Sequence, residues 1–169
     1  MTPSSPAQVV GYFAFVLGIA AFLQKSDGRL KLYNASQGLI YSLHFVLLGN
    51  FAASASALVS SARSFLALRF RSLILAAATV AVHLGVGAAF ARSPAAWLPV
   101  VGSCCATVAI FTLDGIPLRS VLLLSTMMWL ANNILSRSIG GTALELGVAS
   151  ANISTMLRMS RSELPPTSP

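Results

Sequence analysis

Few side chains in this sequence can do chemistry, and most of them stand singly inside apolar runs. His44 and Glu145 are the two most reactive. An imidazole and a carboxylate at equal depth could relay a proton or lock two segments together as a static pair. Tyr41 precedes His44 by three residues, and Trp129 precedes Asn132 and Asn133 by three and four. On a helix such spacings share a face, as do Glu145 and Asn152, seven apart. Aromatic faces combined with amide and carboxylate groups are a common way to hold a polar solute, sugar- or nucleoside-like. Arg63 could contact an anionic group or snorkel to the nearer interface. His83, alone in its apolar run, is expected to be a satisfied or interfacial histidine.

Catalytic signatures are missing. The sequence has no HExxH, no GxSxG and no paired aspartates, so no catalytic residue and no enzyme is expected. No filter-like segment or ring of charges suggests an ion channel. Cys104 and Cys105 are adjacent in an apolar stretch without further ligands nearby, so no metal, cofactor or mutual disulfide is expected.

The elements that must carry these groups are dictated by composition. Of 169 residues, 56% are apolar and 9% charged, with mean hydropathy +0.79. A soluble domain has about 25% charged residues. A soluble enzyme, a disordered chain and a disulfide scaffold are excluded, and an all-α polytopic membrane bundle remains. The net charge of +7 comes from basic residues spaced between apolar runs, as in membrane loops. There is no basic face for nucleic acid. Lipid and a polar solute are the expected partners, with a second copy of the chain conceivable.

Seven transmembrane helices are predicted, at residues 7–24, 31–48, 51–68, 72–91, 95–113, 118–136 and 141–158. No Lys or Arg precedes the first, so it reads as a retained span rather than a signal peptide. Turns are expected at Gly49-Asn50, Arg92-Ser93-Pro94 and Asp114-Gly115-Ile116-Pro117. Residues 159–169 are expected to be a disordered cytoplasmic tail. With seven spans, Lys25, Arg29, Lys31, Arg69, Arg71, Arg119, Arg158 and Arg161 fall on one face; Arg92 and Arg137 fall on the other. The positive-inside rule then puts the N-terminus outside and the C-terminus in the cytoplasm. At about 1.5 Å per residue, His44, Asn132, Asn133 and Glu145 lie at one level, roughly 6 Å below the outer boundary. Tyr41 and Trp129 lie one turn deeper, and Asn152 near the midplane.

The chain also matches itself. At an offset of 88, Lys31 falls on Arg119, Tyr41 on Trp129 and His44 on Asn132. At 89, Arg63 falls on Asn152 and Leu68-Arg69 on Leu157-Arg158; at 87, Asp27-Gly28 falls on Asp114-Gly115. This reads as one membrane domain: a three-helix unit at 7–68, a linker helix at 72–91 and a second unit at 95–158. Parallel repeats of this kind place a site at their interface.

At these residues the sequence resembles the YgjV-like family of bacterial inner-membrane proteins. The matching segments are His44-Phe45-Val46-Leu47-Leu48-Gly49, Ala53-Ser54-Ala55-Ser56-Ala57 with Arg63, Leu68-Arg69-Phe70-Arg71-Ser72-Leu73 and Leu98-Pro99-Val100-Val101-Gly102. Trp129 with Asn133, Ser138-Ile139-Gly140-Gly141-Thr142, Glu145 and Asn152 complete them. The resemblance implies an inner-membrane protein of unassigned activity. That family is in turn similar to the SWEET, PQ-loop and PnuC transporter group, which implies a three-plus-one-plus-three plan. By that likeness an aromatic pair, Tyr41 with Trp129, and a polar pair, Arg63 with Asn152, would hold solute between the units. The Pro-Gln doublet is absent, and only Pro99 and Pro117 match the bending prolines of that group.

Overall fold

The structure, a computed structural model, describes residues 6–47, 51–91, 94–135 and 139–163, leaving out side chains at 8, 45, 51–53, 90, 95, 96, 133, 139–141, 162 and 163. The turns expected at Gly49-Asn50 and Arg92-Ser93 lie outside them. Among the described residues there are seven helices and no strand: α1 (Pro6–Leu23), α2 (Asp27–Leu47), α3 (Phe51–Arg69), α4 (Leu73–Phe90), α5 (Pro94–Thr112), α6 (Gly115–Leu135) and α7 (Ile139–Glu163).

Three boundaries differ from expectation by three residues or more. The start of α2 is Asp27 rather than residue 31, and that of α6 is Gly115 rather than 118. The expected spans began at Lys31 and one residue before Arg119, and both were counted with the loop charges of the basic face. Both are buried, at 5% and 0% exposure, so the helices extend through them. Helix α7 continues to Glu163, so residues 159–163, expected in a disordered tail, are helical. Gly115 opens α6 at φ 60°, a conformation glycine reaches without steric cost.

Each helix packs mainly on its neighbours in sequence, and two further contacts close the circuit. Helix α1 packs on α2 and α7, α2 on α3, α3 on α5, α5 on α6 and α6 on α7. Helix α4 lies against α3 and α5.

Small and hydroxyl side chains make the tightest seam. Ser42 and Ser54 share a hydrogen bond of 2.8 Å, the Ser61 hydroxyl donates to Ala35 O at 2.7 Å, and Asn34 donates to Ser64 at 2.8 Å. Lys31 reaches Ala67 O at 3.5 Å. Along α2 the contacts step through 31, 35, 38 and 42, and along α3 through 54, 57, 61 and 64. Both follow the alternating three–four spacing that keeps one seam facing its partner. Small residues let helix backbones approach closely where lipid offers no hydrophobic gain for association.

The distribution of side chains is inverted relative to a water-soluble domain. Among the described residues the interior holds Ser61, Ser64, Thr107, Arg119, Asn152 and Thr155 at 0–1% exposure, with many alanines. Large apolar groups face outward: Ile74 at 82%, Leu73 at 71%, Phe13 at 63% and Val16 at 62% exposure. In water such a surface would carry a heavy hydrophobic cost, about 25 cal/mol per Å². Among the described residues no helix is long and apolar enough to cross a membrane. The outward-facing large apolar side chains are the feature of this fold that suits a lipid surrounding.

Glycine spacing gives a direct check. A Cβ on Gly38 would meet Ser61 Cβ at 2.9 Å and Ala57 O at 3.1 Å, whereas one on Gly85 would meet nothing within 4 Å. Gly38→Ala is expected to cost about 1–3 kcal/mol by overpacking the α2–α3 seam. Gly85→Ala should be neutral or stabilising by up to about 1 kcal/mol through helix propensity. Reversible unfolding in mixed micelles measures both.

Candidate functional site

Two polar groupings occupy opposite ends of the helix circuit. The first lies where the basic residues gather, at the ends of α1, α3, α5 and α7 and the starts of α2, α4 and α6. Its centre is Arg119, fully buried near the start of α6. The guanidinium donates to Asp27 Oδ1 and Gly115 O through one nitrogen. Through the other it donates to Gln24 O and Lys25 O, each at 2.9 Å. Four of its five N–H donors are thereby used. Asp27 Oδ2 accepts the Gly115 backbone N–H at 2.6 Å, placing a carboxylate at the positive end of α6. Asn152 on α7 donates to Arg119 O at 2.9 Å. One aspartate and one arginine thus tie the α1–α2 turn to α6, and Asn152 adds α7.

Two more arginines act at the same end. Arg71 pairs with Asp114 and donates to Thr112 O at 3.0 Å, at the C-terminus of α5. Arg158 donates to Leu23 O at 2.8 Å, at the C-terminus of α1, and to Thr155. Cations suit those carbonyl-rich ends. The two ion pairs carry different weight. Arg71 and Asp114 are 55% and 50% exposed, a setting worth about 0–1 kcal/mol. Arg119 is 0% exposed and Asp27 21%, so loss of one partner strands a charge away from water.

The second grouping lies at the opposite end. His44, near the end of α2, donates from Nδ1 to Ala7 O in the first turn of α1 at 2.7 Å. The rings of Tyr41 and His44 stack with centroids 5.5 Å apart and planes 5° apart. A Cβ on Gly11 would come within 2.9 Å of the imidazole, so α1 offers a glycine where the ring needs room. Tyr41 is within electrostatic reach of Glu145 on α7. Tyr41, Trp129, Asn132 and Glu145 are all half-buried. The side chain of Asn133 lies outside the described residues.

The sequence-predicted set is therefore only partly assembled. Tyr41 and His44 share a face as expected, and Glu145 approaches them. The expected polar pair does not form. Arg63 turns to α5, donating to Ser103 O at 3.0 Å and Thr107 Oγ1 at 2.8 Å, while Asn152 turns to α6. The helix circuit explains this, because α3 packs on α5 and α7 on α6 and α1. Nor does Arg63 snorkel, since it is 6% exposed. His83 is buried with Nε2 unpartnered rather than satisfied. Cys104 and Cys105 are free thiols, each half-buried. A groove on α7, lined by Ser150, Ser154, Leu157, Arg158 and Arg161, gathers none of the predicted residues.

Sequence reasoning missed the Asp27–Arg119 cluster as a site. The signal was present: two of the four acidic residues each precede a glycine at matching loop positions on the most basic face.

The model of the Imp-YgjV family, described as bacterial inner membrane protein, matches residues 5–163. The chain belongs to this family. It is also similar to the inner membrane protein YgjV of Escherichia coli (strain K12), 37% identical over 145 residues, which covers 86% of this chain and 79% of the relative. No solved structure matches the chain. Membership puts the outward-facing leucines and phenylalanines in a lipid setting.

Arg119→Leu is expected to cost about 3–5 kcal/mol of stability, because Asp27 loses its buried partner. Adding Asp27→Asn should recover part of that loss, a coupling readable by a double-mutant cycle in bicelles.

Proposed function

We propose that the chain is a small transporter or facilitator for a polar solute, sugar- or nucleoside-like, working by alternating access between two three-helix units. In this reading the helical bundle is embedded in the bacterial inner membrane through its outward-facing apolar side chains, with α1–α3 as one unit, α5–α7 as the other and α4 linking them in a SWEET-like plan. The N-terminus lies outside and the C-terminus in the cytoplasm, following the eight-to-two division of basic residues.

The observation that carries this reading is a relation made twice. The third helix of each unit packs on the first helix of the other, α3 on α5 and α7 on α1. At each junction an arginine donates to the carbonyl end of that first helix: Arg71 to Thr112 O and Arg158 to Leu23 O. Two like-oriented units related by an axis along the membrane normal would meet in this way. The Asp27–Arg119 tie closes the basic, cytoplasmic end. At the other end Tyr41, Trp129, Asn132 and Glu145 stay half-buried, with the chemistry to hold hydroxyls and a planar ring. In this reading the structure is the state closed toward the cytoplasm. Arg63 and Asn152 leave the proposed solute contacts, since each is committed to a helix neighbour.

Purified protein in proteoliposomes should show saturable uptake of a neutral polar metabolite. Tyr41→Ala and Trp129→Ala should each lower uptake at least about tenfold, the loss of an aromatic anchor worth about 1.4 kcal/mol or more. A sealed-vesicle panel without saturable flux would leave the alternative, a non-transporting scaffold or lipid-binding protein. Single cysteines introduced at Gln24 and at Val46, with both native cysteines replaced, should react with impermeant maleimide from opposite sides. Labelling of both from one side would overturn the orientation.

A further inference from the structure

Among the described residues, Arg63 is a buried cation with no carboxylate bonded to it. Arg63 is 6% exposed, on the α3 face that meets α5. Its Nη1 donates to Ser103 O and Thr107 Oγ1, both neutral, and its Nε–H has no partner. The acids whose side chains are described lie elsewhere. Asp27 serves Arg119, and Asp114 serves Arg71. Glu145 lies on α7 near Tyr41, and Glu163 ends the same helix, which packs on α6 and α1.

Burying a charge is expensive unless it is paired, and an ionisable group inside a membrane protein marks a functional site by default. A second orphan donor lies close by. His83 on α4 is 5% exposed, its Nε2 is unpartnered, and it is within electrostatic reach of Arg63. A neutral imidazole can present Nε2–H. Cys104 on α5 is also within electrostatic reach of the guanidinium.

From these two buried donors we infer an anion seat at the junction of α3, α4 and α5. Arg63 supplies the charge and a free N–H, and His83 supplies a second donor. The ligand is a tetrahedral or planar oxyanion group of the phosphate or carboxylate type, either free or carried on a lipid headgroup. A guanidinium fork matches that geometry better than an ammonium would. Arg63 bonds to α5 whereas Tyr41 stacks on His44, and the seat does not rest on the transport reading.

The test is thermal unfolding of the full chain in nanodiscs of neutral phosphatidylcholine, with gluconate exchanged for inorganic phosphate at constant ionic strength. A saturable rise in Tm is expected. Arg63→Gln should weaken the half-saturating phosphate concentration at least about tenfold, as removal of a charge-assisted contact does. His83→Gln should weaken it several-fold, while Cys104→Ser and Trp129→Ala should leave it unchanged. If phosphatidylglycerol nanodiscs stabilise the protein without added phosphate, and Arg63→Gln removes that gain, the headgroup is the source. The proposal is overturned if neither phosphate nor phosphatidylglycerol raises Tm. It is equally overturned if the rise survives undiminished in both Arg63→Gln and His83→Gln, or if it appears only in Cys104→Ser, which would assign the counter-charge to a thiolate. Should Arg63→Gln fail to fold, the wild-type titration and His83→Gln decide.

Discussion

The fold depends on what happens to one guanidinium. Arg119 lies fully buried, and its position is affordable only because Asp27 and three carbonyl oxygens converge on it. Those acceptors come from the α1–α2 turn, the first residue of α2 and the first residue of α6, while Asn152 of α7 binds the arginine's own carbonyl. Arg119 thus joins the α1–α2 turn, α2 and α7 to α6. Because an unpaired charge there would be costly, the arrangement behaves as all or nothing.

The rest of the molecule answers to a solvent that gives helices no hydrophobic reason to associate. Association then rests on close backbone approach and on hydrogen bonds between helices. The α2–α3 seam shows both, with Gly38 against Ser61 and Ala57, and serines bonded across it. The same solvent lets leucine and phenylalanine cover the outside. An interior of alanine, serine and threonine leaves little apolar area to bury, so charges such as Arg119 and Arg63 take a larger share in deciding which packing is adopted.

Much of this was legible in the sequence, and the failures share one cause. Seven helices, their order and the shared face of Tyr41 and His44 follow from apolar runs and helical spacing. Lys31 and Arg119 were read as span boundaries because charge ordinarily marks a loop; both belong to helix interiors. Arg63 and Asn152 were paired by the likeness to the transporter group, at positions that also align in the repeat. Alignment fixes position along a helix but not which neighbour a face meets, and that depends on the circuit of seven helices. The aspartates that precede Gly28 and Gly115 were visible as repeat markers. Their role as acceptors for distant arginines needed coordinates, since Asp27 and Arg119 stand 92 residues apart.

Hydrogen–deuterium exchange of the wild-type chain in nanodiscs tests the central tie most directly. If Arg119 and Asp27 bind the α1–α2 turn to α6, the amides of Leu30 and Gly115, bonded to Ser26 O and Asp27, should exchange as slowly as those in the middle of α6, although sequence alone would make them a loop. Exchange of these amides at the rate of an open turn, with α6 still protected, would contradict the account.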